Sequence, residues 1–146
     1  MPEEPSIGVL LFIPYRAMEE RVFAALDAAG HEITRAQMKL LQRIDEDGSR
    51  LSALAESAQV TKQTAGYLVD QLERTGYVER APDPTDARAR LVRLTERARA
   101  LHPVARRAEA ETEAEWLAHL GKRRMDQLRD ALTRLREITD PYLERP

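Results

Sequence analysis

Four polar side chains, Thr61, Lys62, Gln63 and Thr64, fall in one turn at the start of a potential helix, with Tyr67 one turn further on. Beyond that helix, Arg88 and Arg90 sit at a tip between two β-forming runs, and Arg80 lies in the first of those runs. Hydroxyls, an amide, an ammonium and guanidinium groups supply hydrogen bonds and positive charge. They supply no activated nucleophile and no acid–base pair. A helix presenting polar side chains beside a basic hairpin suits the reading of a duplex. Catalytic chemistry is poorly provided elsewhere. His31, His102 and His119 are far apart and have no ligand-spaced partner. There is no Gly-rich phosphate loop and no Gly-x-Ser-x-Gly elbow. Glu109, Glu111, Glu113 and Glu115 recur every second residue, which spreads them around a helix as a solvated surface. The expectation is a non-enzyme without cofactor or metal.

These groups need elements to hold them. Between Thr61 and Thr75, Ala65, Leu68, Val69 and Leu72 have the spacing that turns one helix stripe to a core, and Thr61 suits the N-cap. Gly76 stops the helix, because glycine takes the left-handed geometry cheaply. Gly66, inside it, costs about 1 kcal/mol relative to alanine, which a close backbone approach would explain. Ser52 suits the N-cap of a short preceding helix through Leu54 and Ala58, and Gln59–Val60 bridges the two into a helix-turn-helix. Strands are expected over Tyr77–Ala81 and Arg90–Leu94, with Asp83-Pro84 and Asp86 in the turn and Pro82 and Pro84 barring helix.

Upstream, apolar residues from Ile7 to Ala29 recur at helical spacing, with Pro14 expected to kink or restart the helix and Gly30 to end it. Thr34 and Gln37 have the spacing of a capping box for a helix through Met38, Leu41 and Ile44, and Asp47-Gly48 reads as a turn. Downstream, Thr95 caps a long helix carrying Leu101, Val104, Ala108, Thr112, Leu117 and Leu120. Pro103 is expected to kink that helix and Gly121 to break it. A last helix carries Met125, Leu128, Leu132, Leu135, Ile138 and Tyr142. The two terminal segments are apolar-striped and remote from the polar helix. That favours a homodimer interface over simple packing back onto the core.

A chain of 146 residues with net charge −2 fits one domain, or a domain plus extensions. Positive charge concentrates in residues 80–99, which hold six basic and three acidic side chains. A localised basic patch is the footprint of a specific duplex binder. The chain has no cysteine, hence no disulfide or thiolate metal site. It has no apolar run long enough for a membrane span, and no secretory or mitochondrial signal is expected from its acidic start. A cytoplasmic protein is the expectation.

The string from Leu68 to Thr95 resembles the MarR family of bacterial winged helix-turn-helix regulators. Leu68-Val69-Asp70-Gln71-Leu72-Glu73, Gly76, Val78 and Arg80 match the end of the family's recognition helix and the strand after it. Asp83-Pro84, Asp86, Arg88 and Leu94-Thr95 match its wing. The sequence departs at Gly66, Tyr67, Ala87 and Ala98, where members often have threonine, arginine, arginine and glycine. The base preference is therefore expected to differ while the fold holds. The resemblance implies a mainly α fold with a small β-hairpin wing, divided into an N-terminal dimerisation helix (1–33), a winged helix-turn-helix domain (34–99) and C-terminal dimerisation helices (100–146).

It further implies a homodimeric regulator, expected to be a repressor, on a pseudo-palindromic double-stranded DNA operator. Gln63 and Thr64 would read bases in the major groove, an amide pairing bidentately with adenine. Lys62 would meet a guanine or a phosphate, and Tyr67 a phosphate or a base. Arg88 would enter the minor groove, oriented by Asp86, while Arg80 and Arg90 touch phosphates. A small aromatic or phenolic effector is implied between the dimerisation helices and the winged domain, near Tyr15, Arg16, Met18, His31 and Met38. Core packing is the better account of Met18 and Met38, and a solvated loop that of His31. The alternative reading is a winged-helix module that binds protein, because fold does not fix function.

Overall fold

The computed structural model describes residues 2–141 and 143; Tyr142, expected on the last helix, lies outside them. The elements run α1 (Ile7–Ala28), α2 (Arg35–Leu41), α3 (Leu51–Ser57), α4 (Lys62–Arg74), β1 (Val78–Asp83), β2 (Asp86–Leu94), α5 (Glu96–Arg99), α6 (Leu101–Leu120) and α7 (Lys122–Thr139). The fold is mainly helical with one antiparallel hairpin, as expected.

Ser6 caps α1 by accepting from the Val9 amide at 3.3 Å. Pro14 does not restart the helix, which is continuous from Ile7 to Ala28; the ring removes one backbone donor within it. The capping box of α2 is complete, Thr34 and Gln37 each accepting from the other's backbone amide at 3.1 and 3.0 Å. That helix ends at Leu41, so Ile44 reaches the core from the turn after it.

Helix α3 opens two residues earlier than Ser52 as N-cap predicts. Its N-cap is Arg50, with no side-chain cap, and Ser52 lies within the first turn. The cause lies just upstream, where Ser49 exchanges backbone hydrogen bonds with Val92 of β2 at 3.0 and 2.8 Å. This bridge holds the chain extended through Arg50, so helix begins directly after it. Gly48 makes the approach possible: at φ +97°, a Cβ there would stand 2.9 Å from Cγ of Arg93. Helix α4 begins as expected, with the Thr61 hydroxyl accepting from the Thr64 amide at 3.1 Å.

The hairpin is longer than the β-forming runs suggest. Pro82 lies within β1, which a two-stranded sheet tolerates because each strand has a free edge. Register runs regularly from Val78↔Leu94 to Pro82↔Arg90 and then jumps to Asp83↔Asp86, leaving 87–89 as a bulge on β2. After Thr95 the helix breaks at Ala100, and Pro103 falls in the first turn of α6 and not in mid-helix. Its ring cannot coexist with a helical Arg99 carbonyl, so the kink becomes a break before α6.

One core unites these pieces. Leu40, Leu54, Val69, Leu72 and Tyr77 are at most 1% exposed, and Leu26 of α1 and Leu101 of α6 join the same cluster. Helix α6 lies along α1 with Ala108 and Thr112 buried, the Thr112 hydroxyl satisfied by donating to the Ala108 carbonyl at 2.8 Å. The glutamate row is less passive than a solvated surface. Glu115 pairs with Arg21 of α1 and Glu113 with Arg129 of α7, whereas Glu109 and Glu111 pair within α6. Helix α7 folds back on α6 and has no buried residue.

Candidate nucleic-acid interface

The stripe of Ala65, Leu68, Val69 and Leu72 anchors α4 in the core, and the helix turns its other side to solvent. Lys62, Gln63 and Thr64 are all exposed there, and Tyr67 is 61% exposed. Gln63 and Lys62 have no hydrogen-bond or ionic partner among the described residues, so their full donor and acceptor sets face outward. The Thr64 hydroxyl accepts from Thr61 at 2.9 Å. Gly66 is not explained by a close approach within the protein, since a Cβ would meet only Cδ2 of Leu51, at an ordinary 3.7 Å.

The wing corrects two expected roles. Asp86 does not hold the Arg88 side chain; its carboxylate accepts from the Arg88 backbone amide at 3.0 Å and lies 3.9 Å from Arg50. Arg88 therefore stands exposed at the centre of the bulge, with an unpartnered guanidinium among the described residues, and Arg90 is exposed beyond it. Arg80 is not free to meet a phosphate. Its guanidinium donates to Asp70 at 2.7 Å and to Glu73 at 2.6 Å, latching β1 to α4. The hydrogen bond with Asp70 and the charge of Glu73 hold its pKa above the ordinary arginine value.

Sequence reasoning missed the groups that brace this surface. Arg50 donates to the buried Asp83 carboxylate at 2.9 and 2.8 Å, tying the start of α3 to the wing. The Thr85 hydroxyl and backbone amide also donate to Asp83, and with Arg50 they hold its carboxyl below the usual range. Gln71, whose Nε2 donates to the Tyr67 hydroxyl at 3.0 Å, was legible in principle, since it follows Tyr67 at helical i, i+4 spacing. Arg50 was not, because no local pattern links it to Asp83 across the sequence.

A groove of about 510 Å³ lies between α1, α2 and the start of α6. It brings together Tyr15, Met18 and Met38 of the five expected effector residues, along with Phe23, Arg35 and Lys39. Arg16 is elsewhere, paired to Glu20 on the α1 surface. His31 is also outside the groove and is not merely solvated: its Nδ1 lies 2.8 Å from the Tyr77 hydroxyl. Glu19 accepts from Arg35 and from Tyr15, which lowers its pKa, and its carboxylate in turn raises that of the Tyr15 phenol.

Large apolar side chains are left uncovered at one end of the molecule. Ile7, Leu10, Phe12 and Ile13 of α1 are 50–69% exposed, and Ile138 of α7 is 82% exposed. A trough of about 830 Å³ lies among α1, the end of α6 and α7, walled by Leu11, Tyr15, Trp116, Leu128 and Leu132, among others. Among the described residues, no helix is long and apolar enough to cross a membrane.

The sequence profile described as the MarR family matches residues 33–89. An HTH-type transcriptional regulator of Mycobacterium bovis is 32% identical over 109 residues, covering 74% of this chain and 76% of its own. A transcriptional regulator of Thermotoga maritima has a similar solved structure, with TM-score 0.70 and 27% identity over 91% of this chain and 93% of that one. A MepR variant of S. aureus, solved bound to an oligodeoxyribonucleotide, shares the fold with TM-score 0.64 at 24% identity, covering 90% and 96%.

Proposed function

The chain belongs to the MarR family of HTH-type, DNA-binding transcriptional regulators, and from that premise we propose that it acts as a homodimer on a pseudo-palindromic operator. The observation that carries this reading is the shared exposure of the α4 polar turn and the unpaired wing arginine. Helix α4 enters the major groove, where Gln63 and Thr64 meet base edges, Lys62 a guanine or phosphate and Tyr67 an acceptor. Arg88 reaches the adjacent minor groove from the bulge, and Arg90 neutralises backbone charge. Arg80, Asp70 and Glu73 hold the helix and wing at a set angle to each other.

Residues 34–99 form the DNA-binding part, and α1, α6 and α7 the dimerisation part. The uncovered apolar residues of α1 and α7 support this division, because a monomer rarely leaves so contiguous a patch in water. Binding represses where the operator overlaps a promoter. The α1–α2–α6 groove takes a small aromatic or phenolic acid, its ring against Met18, Phe23 and Met38 and its carboxylate towards Lys39. The protein works in the cytoplasm, where operator DNA lies.

Selection of duplexes from genomic DNA, followed by salt titration of the best one, tests the reading. Specific binding should fall steeply as salt rises, with a log–log slope of about −0.9 per phosphate neutralised. Absence of any sequence-selective, salt-sensitive duplex binding would favour the protein-interaction alternative. A screen for small acids that release the duplex then tests the groove.

A further inference from the structure

We propose that a relay of side-chain amides fixes the Tyr67 hydroxyl as an outward-pointing hydrogen-bond donor, making Tyr67 a reader of acceptor atoms on the duplex and Gln71 and Gln37 its positioning residues. The proposal rests on the regulator reading and specifies one contact within it.

The relay begins at a group whose role cannot reverse. The Thr34 backbone amide can only donate, and it donates to Oε1 of Gln37 at 3.0 Å. That fixes which end of the Gln37 amide faces α2, so its Nε2 points away and donates to Oε1 of Gln71 at 3.2 Å. Gln71 is oriented in turn, and its Nε2 donates to the Tyr67 hydroxyl oxygen at 3.0 Å. The hydroxyl thus spends a lone pair on the protein and keeps its proton. Among the described residues it has no other partner, and Tyr67 is 61% exposed on the face of α4 that carries Lys62, Gln63 and Thr64.

Gln37 is buried, which makes the first link rigid: 8% of it is exposed, and its backbone is also held by the Thr34 hydroxyl at 3.1 Å. The alternative polarity, with Tyr67 donating to Gln71, would set the Gln71 amino end against the Gln37 amino end. Two donors would face each other with no acceptor between. The geometry therefore admits one direction only.

An outward O–H seeks purine N7, guanine O6, thymine O4 or a phosphate oxygen, and finds no complement in the amino groups of adenine or cytosine. A tyrosine fed by a donor discriminates differently from the arginine common at this place, which brings several donors and a full charge.

The test is a double-mutant cycle on the selected operator with Tyr67→Phe, Gln71→Met and the pair. Tyr67→Phe leaves the core untouched; Gln71→Met removes the acceptor of the buried Gln37 amino group, and thermal unfolding of that variant verifies that it stays folded. Tyr67→Phe is expected to weaken binding about tenfold, in line with one hydrogen bond to a polar or charged acceptor. Gln71→Met should weaken it roughly threefold in the parent and not at all in the Tyr67→Phe background. A scan of the operator with 7-deazapurines, 2-aminopurine for guanine, 5-methyl-2-pyrimidinone for thymine and methylphosphonates identifies the acceptor, because these remove N7, O6, O4 and a phosphate oxygen respectively. One substitution should impair the parent and leave Tyr67→Phe indifferent, a base analogue marking base readout and a methylphosphonate marking backbone contact. Parent-like affinity for Tyr67→Phe on an operator that the parent binds selectively overturns this proposal alone. Equal loss from Gln71→Met in both backgrounds overturns the relay. No selective binding by the parent removes the regulator reading, and this inference with it.

Discussion

Single residues here divide into those kept free and those tied down, and the division decides what each substitution should do. Arg88 is free, so Arg88→Ala should weaken operator binding about tenfold or more while sedimentation shows unchanged self-association. Unchanged affinity would take Arg88 out of the mechanism. Gly66 is the reverse case, since nothing inside the protein requires it. Gly66→Ala should raise stability by roughly 0.5–1 kcal/mol in thermal unfolding. If the same variant loses operator affinity, the missing Cβ serves the approach of DNA. The exposure of Lys62, Gln63 and Thr64 was legible because helical periodicity assigns every position a side of the helix. The occupations of Arg80 and Asp86 were not, because a cation near a wing looks the same in sequence whether it faces a phosphate or a carboxylate. Only the distance to Asp70 and Glu73 separates the two.

At the scale of elements, the wing is held by three ties: the Arg80 latch to α4, the Ser49–Val92 bridge and the Arg50–Asp83 pair. The last is sensitive to acid. The Asp83 carboxyl is held below its ordinary range by Thr85 and Arg50. It therefore contributes stability that is fully present above the unfolded value of about 4 and is lost as pH falls through the lower folded value. The stability gap between the parent and Asp83→Asn, measured by thermal unfolding, should be constant near neutrality and shrink below about pH 4. A gap that stays constant into acid would mean that Asp83 acts by shape alone. Helix existence and strand order were readable from periodicity, caps and turn residues. Boundaries failed at Ser52, where the tertiary Ser49–Val92 bridge overrode a local capping signal, and at Pro103, whose local clash with the Arg99 carbonyl broke the helix earlier than expected.

For the whole molecule, the uncovered apolar residues of α1 and α7 make association the first property to measure. Leu135→Glu places a charge on the α7 stripe, remote from α4. It should shift sedimentation towards monomer and lower operator affinity together, whereas a dimeric, fully binding variant would place the interface elsewhere. The continuous core has a further mechanical consequence. Leu26 at the end of α1 and Leu101 at the start of α6 sit in the same packed cluster as Val69 and Leu72 of α4. No soft joint separates the reading head from its mount, so a proposed dimer is a pair of calipers set by the tilt of its long helices. Helix α1, with 22 residues, is about 33 Å long. A tilt of about 10° would move its far end by about 6 Å, more than the step of about 3.4 Å between base pairs. A small wedge at the α1–α2–α6 groove would then be enough to put the two heads of the proposed dimer out of gauge with their half-sites.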